Sequence, residues 1–102
     1  MQVIDYSTCK PLHGAQVDVW HANSMGQYSG KMDGFLRGWQ PTSVQGTVDF
    51  DTNFPGHYFE RASHIHVVVR TGKDKRAFSV GQIYVDQRIR DAVEVRLLAL
   101  LA

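Results

Sequence analysis

The sequence predicts an all-β domain with a β-sandwich core and a short C-terminal helix. Three observations lead there. Apolar and polar residues alternate in several short segments, the period of half-buried strands. Glycine and proline punctuate the first two thirds of the chain, where turns between strands must fall. After Asp86 the apolar spacing changes from that of a strand to that of a helix.

The elements follow in order. Pro11 to Gly14 reads as a turn. From Ala15 to Trp20 the chain alternates, with Ala15, Val17 and Val19 on one face and Gln16, Asp18 and Trp20 on the other. His21 to Gly38 holds four glycines and no sustained pattern, so it reads as a long loop. Compact domains rarely keep such loops without a functional reason. Gln40 to Gly46 reads as a second turn region, and Thr47 to Phe50 as a short strand with Val48 and Phe50 on one face. Pro55-Gly56 starts another turn. Ile65 to Val69 is the strongest strand, with Ile65, Val67 and Val69 opposite His64, His66 and Val68. Val80 to Val85 is a further strand. Ile89, Val93, Leu97 and Leu100 then fall at helical spacing among Arg88, Arg90 and Arg96.

Length and composition bound the function. A chain of 102 residues makes one domain with a modest core. Its 43% hydrophobic and 21% charged residues exclude wholesale disorder. Eleven basic against ten acidic residues leave a net charge of +1, without the basic excess of a nucleic-acid binder. Cys9 stands alone, so it is a buried thiol or one whose partner lies outside this chain. No apolar run reaches the ~18 residues of a membrane span. The first residues lack the charged and apolar regions of a signal peptide, so the chain reads as soluble and unexported.

The chemistry concentrates in His57, Tyr58, His64 and His66. His64 and His66 lie two apart on a strand, so both imidazoles leave the same face, with β-carbons roughly 6.5–7 Å apart at ~3.3 Å of rise per residue. That spacing suits two ligands on one ion; the plainer reading is a pair of solvated histidines.

The surroundings carry more. Trp20-His-Ala-Asn23, Gly26-Gln-Tyr28-Ser29, Phe35-Leu-Arg-Gly38, Phe54-Pro-Gly-His-Tyr58, Arg61-Ala-Ser-His-Ile-His66 and Gly81-Gln-Ile83 occur in that order. From about Thr8 to Glu94 the chain resembles the intradiol ring-cleavage dioxygenases, non-haem ferric enzymes that open catechols between the two hydroxyls. The likeness is closest to their secreted, extracellular branch. It implies Fe(III) held by Tyr28, Tyr58, His64 and His66, with Arg61 as the active-site arginine and Gln82 lining the same site. It also implies a catechol-type substrate, both atoms of O2 entering the ring, and a muconate-type diacid as product. The donor set is chemically consistent, because anionic oxygen suits a hard trivalent ion and coordination deprotonates a phenol. Two phenolates and a hydroxide cancel three positive charges. A catecholate dianion that replaces the hydroxide and one phenolate preserves that balance, so no net charge is buried.

The remaining polar and aromatic residues read more plainly. His21 is a packing or hydrogen-bonding residue, His57 falls on a variable motif position, and His13 is at the surface. Tyr6, Tyr84, Trp20 and Trp39 are packing residues, and Arg37 sits in a structural ion pair. Two departures from the family pattern stand out. The segment between Tyr28 and Phe35 is short, and Val95 to Ala102 does not match. The expectation drawn from them is a truncated product of a longer dioxygenase gene, a single incomplete catalytic core over residues 1–102. Its exposed strand edges would favour pairing as a homodimer. Two alternatives stay open on the residues alone. One is a non-catalytic transthyretin-like binding module, and the other is a zinc protein using three histidines.

Overall fold

The computed structural model describes residues 1–30, 34–57 and 61–101, with helix side chains described as far as Glu94. Among the described residues six strands and one helix follow in chain order: β1 (Ile4–Asp5), β2 (Lys10–Pro11), β3 (Gln16–Trp20), β4 (Arg37–Pro41), β5 (His64–Thr71), β6 (Arg76–Tyr84) and α1 (Gln87–Leu101). The first two strands form a small antiparallel pair. The other four form an antiparallel sheet in the order β4-β3-β5-β6.

Alternation on β3 and β5 explains which face is buried. Val17 is fully enclosed and packs with Val48 and Val67, while Val3, Val19, Phe50, Ile65 and Val69 close around them. One face of the sheet is therefore covered by the N-terminal segment and by the stretch from Val48 to Phe50. These residues form the second layer that the mostly β architecture requires.

Two elements differ from expectation. Thr47 to Phe50 is not a strand: Thr47 makes one isolated bridge to Gln2. Its neighbour is the start of the chain, where Val48 receives the terminal ammonium at 3.1 Å and donates its amide to the Met1 carbonyl at 3.0 Å. Val48 nonetheless reaches the core. Conversely, Arg37 to Pro41 is a strand, where a loop end and a turn region were expected. Its sequence lacks apolar alternation because it is an edge strand, exposed along most of its length. Pairing along all five residues of β3 imposes the extended form that propensity alone does not.

The hairpin between β5 and β6 turns through Gly72 and Lys75, both at positive φ, and a register shift falls between Val69 and Arg70. Asp86 starts α1 by accepting the Arg88 amide at 2.8 Å. Three aromatic residues are not core residues: Tyr6, Trp39 and Tyr84 are all largely exposed. Cys9 is exposed as well. Among the described residues no helix is long and apolar enough to cross a membrane.

The opposite sheet face positions the site. Register sets Arg37 beside Trp20, Trp20 beside His66 and His66 beside Gln82, one row across all four strands. His64 pairs with Tyr84 in the row next to it.

Candidate metal centre

His64 and His66 leave β5 on the same face, as the strand period requires. Their rings meet edge to face, 4.8 Å between centres. The Tyr28 phenol completes the group, with its oxygen 2.9 Å from His64 Nε2 and 3.1 Å from His66 Nε2. The short stretch after Tyr28 has not kept this phenol from the histidines.

Hydrogen bonding orders the protons. His64 is buried, and its Nδ1–H donates to the Ala62 carbonyl at 2.7 Å. Its Nε2 therefore presents a lone pair, and the Tyr28 hydroxyl donates to it. The phenol oxygen in turn accepts from His66 Nε2–H. The His66 imidazole is held below its ordinary pKa, first by partial burial and then by the charges of His64, Arg61 and Arg37. The His66 imidazole is thus biased toward the neutral form that a metal ligand needs.

A knot of hydrogen bonds around Asn23 shapes the Tyr28 loop. The Asn23 side-chain oxygen accepts the amides of Met25 at 3.0 Å and Gln27 at 2.9 Å. Its own amide donates to the Gln27 carbonyl at 2.8 Å, and its carbonyl accepts Gly26 at 2.9 Å. The Gly56 amide then docks on that same carbonyl at 3.0 Å. The loop carrying Tyr28 and the segment leading to Tyr58 are joined there. Tyr58 itself lies outside the described residues.

The other candidates fall as follows. Arg61 is exposed, and its charge acts on His66. Gln82 lies beside His66 in the register, and its side-chain oxygen accepts the Tyr84 hydroxyl at 2.7 Å. His57 pairs with Glu94 of α1 at 2.6 Å. His21 is buried on the Ala22 carbonyl and the Thr52 hydroxyl, each at 2.7 Å. Arg37 is not in an ion pair among the described residues; its guanidinium lies over Trp20 and donates to Ser29 Oγ. Sequence reasoning missed Asn23 and Ser29 as supports of the loop. The signal for Asn23 was an Asn followed by Gly and Gln at the spacing of a side-chain-capped turn.

Among the described residues no three His, Cys, Asp or Glu side chains gather at one point. The donors that meet are two imidazoles and a phenol. Such a set fits ferric iron, because phenolate supplies hard anionic oxygen and imidazole is a common iron ligand. It fits zinc on three histidines poorly, since His21 and His57 are engaged elsewhere.

The chain is thus a mostly antiparallel β domain that brings a His-x-His pair and a phenol together at one sheet face. Comparison with solved structures narrows it. An intradiol ring-cleavage dioxygenase from Tetranychus urticae superposes with a TM-score of 0.83 at 36% identity, over 92% of this chain and 53% of that one. A second dioxygenase crystal structure gives 0.80 at 36% identity, over 91% and 53%. The dioxygenase domain of a carbohydrate-binding fusion protein from Streptomyces sp. SirexAA-E gives 0.63 at 38% identity, over 74% and 47%. No protein-family model and no curated protein matches the sequence. The chain belongs to the intradiol ring-cleavage dioxygenase family. It spans about half the length of the solved relatives it matches.

Proposed function

We propose that this chain carries the ferric site of an intradiol dioxygenase that cleaves a catechol-type ring with O2. Tyr28, Tyr58, His64 and His66 would hold Fe(III). The observation that carries the reading is the Tyr28 phenol lying between the two Nε2 atoms. When bound, ferric iron would chelate the catecholate and make its ring reactive toward O2.

The protein's own groups have defined tasks. The Ala62 carbonyl fixes the His64 tautomer, so Nε2 faces the ion. A phenolate oxygen of Tyr28 or Tyr58 would accept a catechol proton. Arg61 stabilises negative charge that develops as the ring opens. Gln82 orients substrate or an oxygen atom by hydrogen bonding. Catechol plus O2 gives the diacid with no other reactant. The bond between the two oxygenated carbons breaks, and each carbon ends as a carboxylate.

Metal content and the visible spectrum after iron reconstitution test the reading. Bound ferric phenolate colours the protein red-brown, and Tyr58→Phe weakens or shifts that band. Catechol then consumes one O2 per diacid formed. A protein that takes up no iron overturns the proposal and leaves the non-catalytic binding module.

A further inference from the structure

We infer that Trp20 and Arg37 form a brace that positions Tyr28 and His66, an inference that rests on reading those two residues as metal ligands. The observation is a closed ring of contacts. The Trp20 indole lies parallel to the His66 imidazole, 4.8 Å between centres and 6° between planes. On Trp20 also rests the Arg37 guanidinium, 5.5 Å from the ring centre. Arg37 Nε donates to Ser29 Oγ at 3.1 Å. Ser29 is bonded to Tyr28, whose hydroxyl returns to His66 Nε2 at 3.1 Å.

Backbone register builds two of the five links in this ring, Trp20 to Arg37 and Trp20 to His66. Trp20 pairs with Arg37 on one flank and His66 on the other, so adjacent strands deliver the contacting groups. Neighbouring strands lie about 4.8 Å apart, close to the stacking distance of flat rings. The Ser29-Tyr28 link comes from a stretch with no regular structure. It therefore needs an external tie, and Arg37 supplies one from a rigid strand.

The chemistry favours arginine at this position. A guanidinium is flat enough to lie on an indole while its Nε–H points sideways to a hydroxyl. Lysine keeps the charge over the ring but not that directed donor. Arg37 also has no carboxylate partner among the described residues, so a surface ion pair does not account for it. Both residues act through others: Trp20 limits rotation of the His66 ring, and Arg37 limits the travel of Tyr28.

Two readouts on the full chain test the brace. One is the 15N resonances of the His66 ring in the metal-free protein. The other is the charge-transfer band and iron-release rate of the iron-loaded protein. Arg37→Met and Trp20→Leu should shift the His66 resonances and the band, and release iron ~10-fold faster, the lower end of what loss of a ligand's outer support costs. Trp20→Phe, which keeps a flat ring, should restore most of both signals; Arg37→Lys should restore part. Ser29→Ala, a small change in a loop, supplies the test should Trp20→Leu not fold. Unchanged His66 resonances in Arg37→Met and Ser29→Ala would overturn the brace. Failure of the wild-type chain to take up iron would instead remove the ligand reading, and the metal-free resonances would still decide the brace.

Discussion

The amide of Gly56 donates to the carbonyl oxygen of Asn23 across 3.0 Å, and a β-carbon on Gly56 would come within 2.6 Å of that same oxygen. It would also meet the Ser24 carbonyl oxygen at 2.6 Å. Both contacted atoms belong to backbone, so neither can swing aside. Only glycine allows this approach, and the approach joins the segment leading to Tyr58 to the loop that carries Tyr28.

Gly56→Ala should therefore separate the two tyrosine segments. Overpacking of this kind costs roughly 1–3 kcal/mol. The expected result is a lower unfolding midpoint together with weaker iron retention. A variant with wild-type stability and an unchanged metal spectrum would show that the two loops hold their places independently.

How much of this was legible in the sequence depends on the range of the forces involved. His64 and His66 were readable because strand alternation is local and Ile65, Val67 and Val69 mark the buried face. Helix α1 was readable from its changed period. Arg37 to Pro41 was not, because pairing with β3 makes it a strand and nothing within Arg-Gly-Trp-Gln-Pro demands one. The segment from Thr47 to Phe50 has a strand's alternation but makes only an isolated bridge, to Gln2, among the described residues. At the site, Tyr28 was reached only through its motif. The stack of Arg37 and His66 on Trp20 depends on cross-strand register, which single-chain patterns do not encode.

A second prediction concerns the residue just before the histidine pair. Ser63 is 1% exposed, and its hydroxyl has no hydrogen-bond partner among the described residues. A buried polar group left unpaired costs ~1–3 kcal/mol, whereas deleting one oxygen atom leaves only a small void. Ser63→Ala should be neutral to stabilising by about 1 kcal/mol, worth ~4–8 °C in a domain near this size. Thermal unfolding measures it directly, and a clear loss of stability would mean that the hydroxyl has found a partner such as buried water.

A third concerns pH. The His66 imidazole is held below its ordinary value of 6.5, chiefly by burial and then by the nearby charges of His64, Arg61 and Arg37. The unfolded chain therefore binds a proton at this residue before the folded chain does. Folding stability from this group is complete above about pH 6.5 and declines as pH falls below it, the sense required when the unfolded state takes up more protons. His66→Gln should flatten that part of the acid-side stability curve. In the metal-free protein the His66 ring should titrate below 6.5 by NMR; a midpoint above that value would contradict the assignment of its surroundings.

The last prediction counts protons at the site. In the metal-free protein Tyr28 is a neutral phenol, donating to His64 Nε2 and accepting from His66 Nε2–H. Iron binding requires the phenol oxygen and both Nε2 lone pairs at once. His66 can meet that demand by moving its proton to Nδ1, with no net release. Tyr28 has no second site for its proton and must lose it to solvent. Iron uptake should thus weaken as pH falls, and Tyr28→Phe should release one proton fewer per iron bound in a weakly buffered titration. The same variant should lose most of the phenolate band if Tyr28 supplies it. Proton release equal to that of the wild-type chain would place the released proton elsewhere and remove Tyr28 from the ligand set.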